Sequence, residues 1–193
     1  MAAGSRFLRL RTQMLISQTK EEVRLAGAIY AHATLEAVHL VSCSASAANG
    51  ADLSSFIEPF SMALVRSDAE SRGVSDRMLT IDLHFAVESR DSSDPRRTIF
   101  SIGSTFRLAY RLEDGIEPEE SNIRAFMNGN AIFNCWPYLR EFTQNLSARM
   151  GHFPPLLPLL LVGSKSEDHA ERERSDQVGT PEKRHRKKAP RHR

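Results

Sequence analysis

Asn134-Cys135-Trp136-Pro137-Tyr138-Leu139-Arg140-Glu141-Phe142, continuing through Asn145-Leu146-Ser147-Ala148-Arg149-Met150-Gly151 to Phe153-Pro154-Pro155-Leu156, carries the most legible helix signals of the chain. Proline has no N–H and a fixed φ, so Pro137 suits the first turn of a helix. Leu139, Phe142, Leu146 and Met150 recur at spacings of three and four and draw one apolar stripe. Arg140, Gln144 and Ser147 fall on another face. Gly151 follows the last apolar residue, where a left-handed residue ends a helix. Pro154 and Pro155 forbid a restart.

Upstream of this stretch, Pro118-Glu119-Glu120 opens an earlier helix, with acids where the N-terminal dipole favours them. Ile123, Phe126 and Met127 make its apolar stripe, continued by Ala131, and Asn128-Gly129-Asn130 weakens its middle. Trp136-Pro137 reads as the break between two helices.

Before the helices come strands. Leu79, Ile81, Leu83, Phe85 and Val87 alternate strictly with Thr80, Asp82, His84, Ala86 and Glu88, which means one buried and one wetter face. A second long alternation runs from Thr98 to about Leu112, with Phe100, Ile102, Ser104, Phe106, Leu108, Tyr110 and Leu112 on one face. Arg90 to Arg97, with Asp94-Pro95, connects the two as a hairpin. Two earlier strands are expected over Ala28–Ser46 and Phe56–Val65, with Pro59 marking an edge. Asn49-Gly50 and the polar Ser67–Asp76 segment read as turns. Ser17 or Thr19 caps a short helix ending near Gly27. The fold class is α+β: a four-stranded antiparallel sheet followed by two helices.

Residues 1–27 are expected to be a loose arm and short helix, 28–162 the folded domain, and 163–193 a disordered charged tail. The chain of 193 residues is 40% hydrophobic and 26% charged, enough for one real core and too short for two large domains. Net charge is +2, so the chain as a whole is not a polycation. Cys43 and Cys135 have no partner at metal spacing and read as reduced thiols. The longest apolar run, Phe153 to Val162, is broken by prolines and falls short of the roughly 20 residues of a spanning helix. No secretory signal is apparent, and a cytoplasmic location is expected.

The run Trp136-Pro137-Tyr138-Leu139-Arg140-Glu141, followed by Arg149-Met150-Gly151 and Pro154-Pro155-Leu156, resembles the carboxy-terminal signature of the SecB family. That family comprises bacterial export chaperones and their SecB-like relatives in toxin–antitoxin systems. The close match covers about a sixth of the chain. The resemblance implies an ATP-independent holdase, a tetramer built as a dimer of dimers, in which unfolded polypeptides occupy long apolar grooves between sheet and helices. It places Trp136, Pro137 and Tyr138 at the helix connection near a groove, Arg140 and Glu141 on the second helix, and Phe153, Pro154 and Pro155 in the tail packed near it. Among the chain's many apolar residues, which could also be plain core, Phe100, Phe106, Trp136, Tyr138, Phe142, Phe153 and Leu156 are candidates for client binding, and Ile123, Phe126, Met127 and Phe133 for an oligomer interface. Classical members hand clients to the motor SecA through acidic patches. Phe100-Ser101-Ile102-Gly103-Ser104-Thr105 carries no acid here and the tail ends basic, which points away from SecA and towards a relative serving another partner, such as an antitoxin.

No Walker loop, GxGxxG, HExxH or GxSxG is present, and no cofactor or metal is expected. His32, His39, His84 and His152 read as surface or satisfied histidines, Asp82 and Glu88 as solvated residues on a strand's polar face. Enzymatic chemistry is therefore not expected. The end of the chain carries Lys183, Arg184, Arg186, Lys187, Lys188, Arg191 and Arg193 with no acid. Such a tract either attracts nucleic acid or an anionic surface, or simply solubilises. It lacks the aromatics that stack on bases, and membrane insertion is not expected. The alternative to a holdase is a small α+β nucleic-acid-binding protein using this tail.

Overall fold

The two alternating segments form the middle of the sheet. In the computed structural model, which describes residues 14–47, 62–90, 94, 96–152 and 157–164, strand β4 is Met78–Arg90 and strand β5 is Thr98–Leu112. They pair antiparallel with Leu79 opposite Tyr110, Ile81 opposite Leu108 and Leu83 opposite Phe106. Directly opposed residues share a face, so the apolar set of each strand reinforces the other. Those residues are buried, as are Phe85, Val87, Phe100 and Ile102.

Strand β3 (Met62–Ser75) adds to β4, and strand β2 (Ala33–Ala47) adds to the far side of β5, giving the order β2-β5-β4-β3. The part of the expected second strand from Phe56 to Ser61, with Pro59, lies outside the described residues. Two expectations for these edge strands need correction. The sequence predicts a turn over Ser67–Asp76, but β3 continues to Ser75 and the chain reverses at Asp76-Arg77, whose φ angles are 51° and 63°. Ser67, Ala69 and Ser71 lie opposite Phe85, Leu83 and Ile81, so small residues on the edge strand complement large ones and leave no hydrophobic alternation to read. The first strand begins at Ala33, because helix α1 (Lys20–Tyr30) runs past Gly27. Its imperfect alternation comes from register shifts between Leu35 and Ala37 and between Leu40 and Ser42, each a bulge that moves side chains to the other face.

Thr19 caps α1 in a reciprocal box: Glu22 N–H donates to Thr19 Oγ1 at 3.1 Å, and Thr19 N–H donates to the Glu22 carboxylate at 2.7 Å. Residues Met14–Gln18, expected in the loose arm, form strand β1. It pairs in parallel with strand β6 (Leu160–Ser164) behind the proline-rich segment.

The helical half also differs from expectation at its joint. Helix α2 (Glu120–Phe126) passes through a five-residue π turn (Met127–Ala131) directly into helix α3 (Ile132–Arg149), with no break at Trp136-Pro137. Pro137 lies inside α3, where it forgoes one backbone hydrogen bond and crowds the carbonyl four residues back, a cost of about 3 kcal/mol. Cys135, Trp136 and Leu139 around it are all buried. Burying side chains of this size stabilises by about 1.5–3 kcal/mol each, so packing carries the helix through the proline. The weak Asn128-Gly129-Asn130 triplet is where the rod departs from α geometry.

The end of α3 follows the sequence. Gly151 has φ 78°, its N–H donates to the Ala148 carbonyl and His152 N–H donates to that of Ser147, both at 3.0 Å. This is a Schellman motif. Three contacts fix the course of α3 over the sheet: Asn134 Nδ2 donates to Tyr110 Oη at 3.1 Å, the Phe142 and Phe106 rings lie 5.9 Å apart, and His152 and Phe100 lie 5.3 Å apart. The helix therefore runs antiparallel to β5 along its length. The fold is α+β, an antiparallel four-stranded sheet with its helices on one face.

Candidate functional site

Cover over the sheet stops at β2. Leu35 and Val38, in its first half, are partly buried against the core, whereas every residue from His39 to Ala47 is exposed. Leu40 lies opposite Phe106, Ala45 opposite Ile102 and Ala47 opposite Phe100, so the inner face of this bare half continues the apolar face of β5. Leu40 is 44% exposed while Phe106 is 4% exposed. The Phe106 ring meets Phe142 of α3 edge-on. Phe142, Leu146 and Met150, spaced by four, are partly buried against the core along one flank of α3. The result is an apolar step: β5 as floor, the α3 flank as one wall, the bare half of β2 as an open shelf. Among the described residues nothing covers it.

Most predicted client-binding residues sit in or under this step. Phe100 and Phe106 are buried as its floor, Phe142 is half-buried in its wall, and Tyr138, one turn earlier in α3, is 45% exposed. Trp136 is buried on a different part of α3, where its Nε1–H donates to the Pro158 carbonyl at 2.9 Å. Phe153 and Leu156 lie outside the described residues, as does the basic tail from Lys183 to Arg193. Of the interface candidates, Phe133 is exposed and Ile123 and Met127 are half-buried. Phe126 is not at a surface: it is buried, its ring edge-on to Tyr110 at 5.0 Å, because α2 packs it into this chain's own core.

Sequence reading missed Leu40 and Val41, both exposed, because the bulges of β2 hide its alternation. It also misplaced the centre of the α3 stripe. The positions against the sheet are Cys135, Leu139, Thr143 and Ser147, all fully buried, and Phe142, Leu146 and Met150 flank them. Ser147, expected on the outer face, satisfies its hydroxyl by donating to the Gln144 carbonyl at 3.1 Å. Thr143 Oγ1, Ser104 Oγ and Ser89 Oγ are buried without a hydrogen-bond partner among the described residues. Unpaired hydroxyls of this kind add little adhesion to the core.

The opposite face of the sheet is ionic. Asp82 is not solvated as expected: its side chain is 2% exposed. Arg107 donates from Nε and Nη2 to its two carboxylate oxygens at 2.7 and 2.9 Å, and Arg72 Nε adds a bond of 2.6 Å. These charge-assisted bonds, Arg107 foremost, hold the Asp82 carboxyl down at about 2 against desolvation. Glu88 accepts from Arg90 at 2.7 Å, Glu36 pairs with Arg111, and His84 Nδ1 lies 2.9 Å from Thr105 Oγ1. Asp82, Glu88 and Glu36 are each tied to an arginine rather than poised to take a proton. Burial pushes the Cys135 thiol up to about 12, so it is inert as a nucleophile. Among the described residues no His, Cys, Asp and Glu cluster could hold a metal ion, and no helix is long and apolar enough to cross a membrane.

No protein-family model matches the chain, and no curated protein matches it. Among solved structures, it is similar to the SecB-like chaperone Rv1957 of Mycobacterium tuberculosis, in complex with a ChAD peptide from the Rv1956 HigA1 antitoxin. That match has a TM-score of 0.56 at 16% identity and covers 73% of this chain and 99% of the other. A protein of unknown function from Streptococcus agalactiae is more distant, at TM-score 0.33 and 12% identity over 64% of this chain and 94% of the other. The likeness to the chaperone extends to the fold: the α+β architecture here is SecB-like.

Proposed function

We propose that the chain is an ATP-independent holdase that binds unfolded polypeptide segments on the apolar step between β2 and α3. The observation that carries this reading is exposed Leu40 paired with buried Phe106, whose ring meets half-buried Phe142, beside a half-strand exposed from His39 to Ala47. An open apolar surface rimmed by polar groups takes up apolar client residues with little sequence selectivity. The free edge of the same half-strand offers backbone groups to an extended segment. The SecB-like fold supports the reading, and so does the peptide complex of the mycobacterial neighbour.

The finer points are part of the same proposal. The folded unit, which takes in β1 and α1 ahead of residues 28–162, works as a dimer of dimers in the cytoplasm, with exposed Phe133 and half-buried Ile123 and Met127 as contact residues. The partner is a labile client such as an antitoxin, or exported precursors. The acid-free Phe100–Thr105 segment favours the former over hand-over to SecA. The test is light scattering from a thermally unfolding enzyme, with and without the purified chain and without nucleotide. Suppression near one client per oligomer is the expected result; scattering unchanged at several-fold molar excess refutes the proposal.

A further inference from the structure

The π turn between α2 and α3 has a specific occupant. Gln18, the last residue of β1, is buried, and its Nε2 donates to the Ala125 carbonyl at 3.2 Å. In a regular α-helix that carbonyl would serve the N–H of Gly129. Gly129 is itself buried, and a Cβ there would overlap the Gln18 carboxamide. A side chain from the other end of the chain is thus seated against the widened turn, in space that only glycine leaves free.

Such a turn holds one residue more than α geometry needs. Were it to tighten, all of α3 would turn by about 100° and advance by about 1.5 Å. At that angle the flank carrying Tyr138 and Phe142 would swing onto the sheet, and Leu139 and Thr143 would leave it. The turn therefore sets which flank of α3 faces the apolar step. We infer that Gln18 is a positioning residue: it locks the π turn and so fixes the phase at which α3 presents Phe142 and Tyr138 to a polypeptide client. The inference rests on the holdase reading for its ligand and on the geometry alone for the lock.

The test is a cycle built on a chain lacking Asn128, an exposed residue of the π turn. Removing one residue lets the turn close as α-helix with α3 in its present phase, which makes the lock unnecessary. The urea midpoint is read from the emission of Trp136, the single tryptophan. Q18A is expected to lower the midpoint in the full chain and leave it unchanged in the shortened one. G129A, which expels the carboxamide while keeping Gln18, is expected to reproduce Q18A. For reduced, carboxymethylated α-lactalbumin as the unfolded probe, Q18A is expected to raise Kd about fivefold, the equivalent of one ordinary hydrogen bond, with recovery on deletion of Asn128. An equal loss of midpoint in both backgrounds, or none in either, overturns the lock. A lost midpoint with unchanged Kd overturns its link to the client. If the unaltered chain does not bind the probe, the holdase reading and that link fall, while the urea cycle still decides the lock.

Discussion

Acid should weaken this fold through one identifiable group. The Asp82 carboxyl has an ordinary value of 3.8 and is held at about 2 in the folded chain, chiefly by Arg107 and then Arg72. Because the folded value lies below the unfolded one, the stabilisation is fully present above about pH 4 and is lost as pH falls towards 2. A shift of this size corresponds to roughly 2.5 kcal/mol if nothing screens it. Arg72 is 53% exposed and Arg107 35%, so solvent screens part of the attraction, and about 1–2 kcal/mol is the working figure. The assay is urea unfolding followed by Trp136 fluorescence at pH 6, 4, 3 and 2.5, for the native chain and for D82N. D82N keeps the shape but cannot titrate. Between pH 4 and 2.5 the native chain should lose about 0.5–1 kcal/mol more than D82N, roughly half of the full figure because the folded carboxyl is still mostly ionised at pH 2.5, and D82N should be the less stable at pH 6. Parallel pH profiles would refute the argument, because they would mean that the buried pair contributes nothing that protonation can remove.

Three further outcomes follow from the packing. T143V exchanges a buried, unpartnered hydroxyl for a methyl of similar volume, and should raise stability by about 1 kcal/mol in the same urea assay. G151A places a side chain at φ 78° in the helix-ending motif, and should cost about 1 kcal/mol with no change in aggregation suppression. L40D puts a charge on the exposed shelf beside Phe106. Its unfolding free energy in urea should stay within about 0.5 kcal/mol of native, as for most surface changes, while its suppression of aggregation should drop several-fold.

The inner strands were legible because both carry long alternations whose large side chains face one core. The edge strands were not. In β3 the inward residues are Ser67, Ala69 and Ser71, which pack by being small beside Phe85, Leu83 and Ile81. In β2 two bulges flip the pattern, and Leu40 reveals its role only once paired with Phe106. Of the candidate site, Phe106, Tyr138 and Phe142 were found in the sequence, since aromatic residues near a helix–sheet contact announce themselves. Leu40, and the burial of Thr143 and Ser147, could not be found that way, because exposure is a property of what lies opposite.

Local signals are enough for the alternation of β4 and β5, the Thr19 cap, the stop at Gly151, and an α+β order of elements. Each is set by neighbours a few residues away, through backbone sterics and side-chain period. Tertiary structure decided the rest. It carried α3 through Pro137 because burial around it outweighs the broken hydrogen bond, brought Gln18 to Gly129 across more than a hundred residues, and left half of β2 bare. Those outcomes depend on contacts between distant segments, whose energies no local pattern contains.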